Sequence, residues 1–243
     1  MQFDRTVAFV TGANRGLGRA LVKTLLDRGA ARVYAAAREP SAISETAGFD
    51  GSRVVPLRLD LTRRESIAEA ASAARDVNLL VNNAGLLASY GVLDASEEAL
   101  LADMEVNYFG TLRAVRAFAP HLEANSPAVI VNVLSIVALS SMRSIGGYAA
   151  SKAAAFSLTQ ALRADLGNRG IRVLGAFPGP IDTDMIRSFP IEKTSPEHVA
   201  SSIVDGLALG DSDIFPDEVS RRAAAVWRED PCALERLFGA PTT

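Results

Sequence analysis

Six short, nearly continuous apolar runs, at residues 6–11, 32–37, 54–59, 77–81, 128–135 and 171–177, alternate with longer alanine-rich stretches. Successive side chains of a strand point to opposite faces, so a strand that is apolar throughout has to be covered on both. Parallel strands with helical return connections meet that condition; a hairpin-built sheet with one wet face does not. Short connections then require right-handed βαβ crossovers. The pattern predicts an α/β fold, a doubly wound parallel sheet of about seven strands with helices on both faces, in a single domain over residues 1–243. A short last strand is expected at Ile214-Phe215-Pro216 and a final helix at Glu218–Glu229, inside a C-terminal tail over 211–243 that packs on the domain.

Local signals punctuate the helices. Thr62-Arg63-Arg64-Glu65 reads as a capping box, and Ser195-Pro196-Glu197 as an N-cap before a first-turn proline. Gly29 and Gly170 stand where helices should end before strands. Composition removes several function classes. A net charge of −3, with both signs interspersed, argues against a nucleic-acid partner or an anionic membrane surface. The longest charge-free run, 124–142, is broken by Asn125, Pro127, Asn132 and serines, so it suits a buried strand better than a membrane span. Val7–Val10 is too short for the apolar core of a signal peptide, and the one cysteine, Cys232, has no partner for an internal disulfide. A cytoplasmic protein is expected.

Thr11-Gly12-Ala13-Asn14-Arg15-Gly16-Leu17-Gly18 follows the first strand and opens the first helix. Glycines there allow a tight turn and close approach of a pyrophosphate to the free N–H groups of the helix N-terminus. The spacing is G-x-x-x-G-x-G, not G-x-G-x-x-G, and an ordinary tight βα turn would also use these residues. The first βα junction of a Rossmann-type sheet favours nucleotide binding. An acidic residue at the end of the second strand would bind the ribose hydroxyls of NAD; Ala35-Ala36-Ala37-Arg38 stands there instead. Arg15 and Arg38 suit the 2′-phosphate of NADP(H), because guanidinium groups bind phosphate in a planar fork. The alternative is a pair of solvated arginines.

Tyr148 and Lys152 are four apart on a predicted helix and so share one face. A free phenol titrates near ~10, and a lysine cation one turn away, together with the positive ring of a bound nicotinamide, is expected to lower that value. Tyr148 could then protonate a carbonyl oxygen in reduction, or deprotonate an alcohol in oxidation. Ser135 ends the strand at 128–135, on the edge where such sheets place ligands. Asn107 lies mid-helix, where asparagine is disfavoured, and a water bridging to Lys152 would satisfy it. Taken singly, a strand-end hydroxyl and a satisfied core amide explain these two residues equally well.

In order along the chain, Thr11–Gly18, Asp60, Asn82-Asn83-Ala84-Gly85, Asn107, Ser135, Tyr148 with Lys152, and Pro178-Gly179-Pro180-Ile181-Asp182-Thr183 resemble the short-chain dehydrogenase/reductase family over nearly the whole length. The resemblance implies hydride transfer between a nicotinamide cofactor and a carbonyl/alcohol pair. It makes Tyr148 the acid/base, Lys152 its pKa-lowering partner and ribose ligand, Ser135 the group orienting the substrate oxygen, and Asn107 the support of a relay water. It places Gly12, Asn14, Gly16, Leu17 and Gly18 at the pyrophosphate, and Asp60 and Leu61 beside the adenine. Asn83, Ala84 and Gly85 would line the cofactor, Pro178, Gly179, Ile181 and Thr183 its nicotinamide side, and Arg15 and Arg38 match NADP-preferring members.

Two departures from the family pattern are visible. The substrate loop at 184–194 is short, which suits a broad or bulky substrate range. The tail at 211–243 lacks the glycine-ended last strand of tetrameric members, so a homodimer through the helices carrying Asn107 and Tyr148 is expected over a tetramer. The substrate walls, 86–93, 136–145 and 184–194, carry Leu86, Leu87, Tyr90, Leu139, Met142, Met185, Ile186 and Phe189, which points to a hydrophobic ketone or aldehyde. Trp227 and Phe238 are expected to pack the final helix on the domain, with a pocket wall as the alternative. His121 and His198 lack metal-ligand spacing, and no metal site is expected. The alternatives to an NADPH-dependent carbonyl reductase are an alcohol dehydrogenase running oxidatively and a non-catalytic NADPH-binding regulator.

Overall fold

In the computed structural model, β1 (Val7–Thr11) sends alternate residues into two different cores. Ala8 and Val10 join one apolar cluster and Phe9 the other. The same split recurs in β2 (Arg32–Ala37), with Val33, Ala35 and Ala37 on one face and Tyr34 and Ala36 on the other. Both faces of these strands are dry, which is why they read as continuous apolar runs. The structure describes residues 3–45 and 52–239; residues 1–2, 46–51 and 240–243 of the expected domain and tail lie outside the described residues.

The remaining strands are β3 (Val54–Arg58), β4 (Leu79–Asn82), β5 (Ala128–Val133), β6 (Ile171–Ala176) and β7 (Asp213–Ile214). They form one seven-stranded sheet in the order β3-β2-β1-β4-β5-β6-β7, every pairing parallel. This is the doubly wound Rossmann-type arrangement. Helices α1 (Gly16–Asp27) and α7 (Pro196–Leu209) cover one face through Leu21, Leu25, Ile203 and Leu207. The other face is covered by α3 (Arg64–Ala73), α5 (Thr111–Ala124) and α6 (Gly146–Gly167), through Ile67, Phe118 and Leu162. The shorter α2 (Ser41–Glu45) and α4 (Glu97–Met104) lie in the connections after β2 and β4.

Several boundaries differ from the sequence expectation. β4 starts at Leu79, not Val77; just before it the Asn78 side chain ties this segment to the start of β1, its Oδ1 accepting the Val7 N–H and its amide donating to the Arg5 carbonyl, each at 3.0 Å. No capping box forms at 62–65. The Thr62 hydroxyl donates to Asp60 at 2.7 Å instead, and Arg63 becomes the N-cap. The last strand stops at Ile214, two residues before Pro216, which has no N–H to donate. Ser195 caps α7 as its sequence predicts, accepting the His198 N–H, and Gly210 closes it at φ 88°. Helix α8 (Glu218–Glu229) matches its expected span; α9 (Pro231–Gly239) was not anticipated, although Asp230 before Pro231 is a start signal. Among the described residues no helix is long and apolar enough to cross a membrane.

Candidate active site

Strand order reverses at β1, so β1 and β4 diverge to opposite halves of the sheet and leave a crevice beyond their carboxyl ends. The glycine turn fills the β1 side of it. Gly12 (φ 66°) is so close to the chain after β4 that a Cβ there would stand 3.0 Å from the Ala84 Cα. A Cβ on Gly18 would fall 2.1 Å from the Gly12 carbonyl oxygen and 2.5 Å from the Asn83 amide nitrogen. Asn83 donates that amide to the carbonyls of Thr11 and Gly12, at 2.9 and 3.3 Å. The buried Thr11 hydroxyl accepts the N–H groups of Asn83 and Ala84, at 3.0 and 2.9 Å. Two loops are thereby locked into one wall. Arg15, the N-cap of α1, provides no side-chain cap, so the first-turn N–H groups at Leu17 and Gly18 open toward the crevice. Half-buried Asn14 lies in the same turn. Glycines that no side chain could replace, before an uncapped helix start, fit a bound pyrophosphate.

At the far end of the crevice Arg38 follows β2 and is exposed. Asp60 follows β3; the Thr62 hydroxyl and backbone N–H bind its carboxylate and hold its pKa below the usual range, with Arg38 adding in the same direction. Leu61 is buried against Gly110. Arg15 lies 3.1 Å from Asp184, which also pairs with Arg187, so the glycine turn and the substrate loop are joined by an ion pair in this structure.

Asn107 sits in a π-helical turn, Glu105–Gly110, between α4 and α5. It is 2% exposed. Its Oδ1 accepts the Leu86 N–H at 2.9 Å, and its amide donates to the Leu86 carbonyl and to the Ser151 hydroxyl, each at 2.8 Å. Protein groups therefore satisfy the buried amide, where a bridging water was expected. Gly85 stands between Asn107 and Lys152: a Cβ there would be 3.3 Å from Asn107 Oδ1 and 3.4 Å from Lys152 Nζ. Lys152 donates to the Val133 carbonyl at 2.9 Å, and its ammonium lies 5.7 Å from the centroid of the Tyr148 ring.

The Tyr148 hydroxyl has no hydrogen-bond partner within the described residues, and the lysine does not lower its pKa in the free protein. Burial pushes the phenol well above its ordinary value, with the Asp103 carboxylate adding to the rise. Burial also pushes Lys152 down, to about 8, against the opposing pull of Asp103. In the protein alone, desolvation of the phenolate outweighs a cation that points to a strand carbonyl; the expected lowering counted a nicotinamide ring as well. Ser135 leaves the sheet just after β5, and its oxygen accepts the Val137 N–H at 3.3 Å. The Pro178 carbonyl accepts the Ile136 N–H at 3.1 Å, and the Gly179 N–H donates to Asp217 at 2.8 Å. Ile181 pairs with Thr194 across the base of the substrate loop, and Thr183 packs against Gly16.

Of the residues expected at the substrate walls, Leu87, Leu139, Met142 and Phe189 share one apolar cluster with Tyr148. Trp227 and Phe238 join it from α8 and α9, and Trp227 also meets Phe156 edge-on at 6.4 Å. The tail thus packs on the domain beside Tyr148. Tyr90 stacks on Phe189 at 6.2 Å, linking the loop after β4 to the substrate loop, while Met185 faces outward.

A family model described as short chain dehydrogenase matches residues 6–193, from β1 to the end of the substrate loop. The chain is a short-chain dehydrogenase. A short chain dehydrogenase from Burkholderia cenocepacia, solved in complex with NADP, superposes with a TM-score of 0.93 at 42% identity, over 99% of this chain and 100% of that one. An uncharacterized oxidoreductase of Staphylococcus saprophyticus is 33% identical over 76% of this chain and 82% of its own. A 3-oxoacyl-[acyl-carrier-protein] reductase of Vibrio cholerae is 32% identical over 79% of this chain and 80% of its own.

Three residues of this short-chain dehydrogenase that hold the site together escaped the sequence reading. Thr11 belongs to the glycine-turn motif, but the sequence assigns no role to its hydroxyl, which pins the Asn83 and Ala84 N–H groups. Asp217 was read as nothing, although an aspartate before Glu218 is an N-cap signal; it caps α8 and holds Gly179. Asp103, four residues before Asn107, shares its helix face, and that i, i+4 spacing was the available clue.

Proposed function

We propose that this chain is an NADPH-dependent reductase that converts a hydrophobic ketone or aldehyde to the alcohol. The observation that carries the reading is Tyr148: an unpartnered, protonated phenol, next to Lys152 and bordered by apolar side chains, on the edge where the glycine turn opens. NADPH bound in the crevice supplies the hydride. The chain's residues do the rest. Gly12, Gly16, Gly18, Asn14 and Leu17 would cradle the pyrophosphate, with Asp60 and Leu61 at the adenine. Asn83, Ala84, Gly85, Pro178, Gly179, Ile181 and Thr183 would border the nicotinamide half. Lys152 has N–H donors beyond the one given to Val133 and would hold the ribose. Ser135 would donate its hydroxyl to the carbonyl oxygen while Tyr148 gives that oxygen a proton. A phenol, protonated at neutral pH, can serve as the donor in reduction.

The choice of NADPH rests on Arg38, which stands directly after β2 where an NAD-binding acid would be expected, on Arg15, and on the NADP bound by the Burkholderia relative. Replacing Arg38 by Asp removes a charge-assisted contact and adds repulsion toward a 2′-phosphate. We expect KM for NADPH to rise about 10- to 100-fold, the equivalent of one strong charged hydrogen bond, with little change for NADH. Steady-state kinetics with both cofactors checks this, and an unchanged preference for NADPH would overturn the phosphate assignment. The apolar cluster of Leu87, Leu139, Met142, Phe189 and Trp227 supports a hydrophobic substrate.

A further inference from the structure

Two buried charges border this site, and the reading above uses only one of them. Lys152 is 4% exposed; Asp103, in the last turn of α4, is 0% exposed. The Asp103 Oδ1 accepts the Ala88 N–H at 2.8 Å, and Oδ2 accepts the Ser89 N–H at 3.2 Å and the Ser89 hydroxyl at 2.5 Å. None of these donors is charged, and no arginine or lysine of the described residues forms an ion pair with it. A carboxylate removed from water needs oriented donors, a compensating charge, or both. The oriented donors are these three.

Ser89 is itself fully buried, and it carries the contact onward. A Cβ on Gly147 would come within 2.3 Å of the Ser89 hydroxyl oxygen, so Ser89 sits directly on the backbone of the residue before Tyr148. Asp103 thus fixes Ser89, and Ser89 abuts the first turn of α6. On the other side of the same loop, Asn107, one turn along from Asp103, fixes Leu86.

We propose that Asp103 is a positioning residue of this active site: its carboxylate clamps residues 88 and 89 against the first turn of α6, fixing where Tyr148 stands, and it is the buried anion that balances Lys152. The proposal rests on the roles given above to Tyr148 and Lys152. The groups that face Lys152 are few. From α6 comes the Tyr148 ring; from β5, the Val133 carbonyl; across Gly85, the neutral Asn107, with the buried Asp103 one helical turn before it. Asp103 is the charged member of that set. It opposes the desolvation of the lysine and adds to that of the phenol.

The chain contains three lysines, Lys23, Lys152 and Lys193, so carbon-13 labelling at lysine Cε yields a spectrum in which Lys152 can be followed by NMR. The titration is read on the full chain without cofactor or substrate, with Lys23→Arg and Lys193→Arg for assignment. In the wild-type protein the Lys152 signal should titrate near 8. Asp103→Asn should lower its proton affinity about tenfold, the effect of losing one nearby unit charge at moderate screening. Asp103→Glu keeps the charge and should restore most of the shift, and Ser89→Ala keeps it entirely and should leave the midpoint in place. In turnover, Asp103→Asn and Ser89→Ala should both lower kcat at unchanged NADPH Kd.

A Lys152 midpoint in Asp103→Asn equal to that of the wild type would overturn the charge role. Values of kcat within twofold of wild type in both variants would overturn the clamp. So would losses of NADPH affinity and Tm in step with kcat, the signature of an ordinary scaffold residue. If Asp103→Asn does not fold, Asp103→Glu and Ser89→Ala decide the clamp by the same kcat and Kd readings. A wild-type protein that reduces no carbonyl compound would instead sink the function proposed above, while the lysine titration still decides what Asp103 does.

Discussion

Tyr148→Phe is expected to lower kcat about 10²- to 10⁴-fold, the usual range for losing a positioned acid, while leaving NADPH binding within twofold of wild type. The hydroxyl makes no hydrogen bond within the described residues, so its removal breaks none in the fold. The ring stays, and with it the contacts to Leu139, Met142 and Trp227 in the apolar cluster. The Lys152 ammonium over the ring also keeps its partner. Single-turnover kinetics, with Kd measured separately by nicotinamide fluorescence, separates the two quantities. Equal losses of kcat and NADPH affinity would show that Tyr148 acts as a scaffold and not as a proton donor. The phenol is held protonated by burial, so reduction has its donor in place at neutral pH, whereas oxidation must form the phenolate and should gain rate as pH rises.

Gly18→Ala should abolish tight cofactor binding, with NADPH Kd rising about 100-fold or more. The added Cβ would stand 2.1 Å from the Gly12 carbonyl oxygen and 2.5 Å from the Asn83 amide. The first is backbone and the second is held by two hydrogen bonds, so neither can move aside cheaply. Relief requires the glycine turn to part from the loop after β4, which flattens the cradle. Gly167→Ala is the control. It ends α6 with nothing within 4 Å of its added carbon and lies far along the helix from Tyr148. It should leave NADPH affinity unchanged and stabilise the helix by about 1 kcal/mol or less. Isothermal calorimetry with NADPH distinguishes the two, and wild-type affinity in Gly18→Ala would contradict the pyrophosphate assignment.

The double-sided burial of β1, β2 and β5 explains how much of this fold could be read in advance. A strand dry on both faces leaves an unbroken apolar run, and such runs located six strands to within two residues at each end; the short last strand falls within the same margin, ending before Pro216. The candidate site was legible where residue type and spacing are distinctive: a phenol and an ammonium one helical turn apart, and glycines at a βα turn. What stayed hidden depends on which groups meet across long sequence separations. Nothing in Thr62-Arg63-Arg64-Glu65 reveals that the Thr62 hydroxyl is taken by Asp60, which cancels the capping box. Nothing near Tyr148 reveals that its pKa is governed by burial and by Asp103, an acid on a different helix. Trp227 and Phe238 packed the tail as expected, but only the folded chain shows that they pack it beside Tyr148.

The central claim is that a hydride from NADPH and a proton from Tyr148 reach the same carbonyl. Incubating the protein with NADPH deuterated at nicotinamide C4 and a panel of hydrophobic ketones and aldehydes, then analysing the products by mass spectrometry and NMR, tests it most directly. The account predicts alcohol carrying deuterium on the carbinol carbon from the wild-type protein, and a rate lower by at least about 100-fold from Tyr148→Phe. NADPH bound tightly, with no deuterated alcohol from any member of the panel, would contradict it.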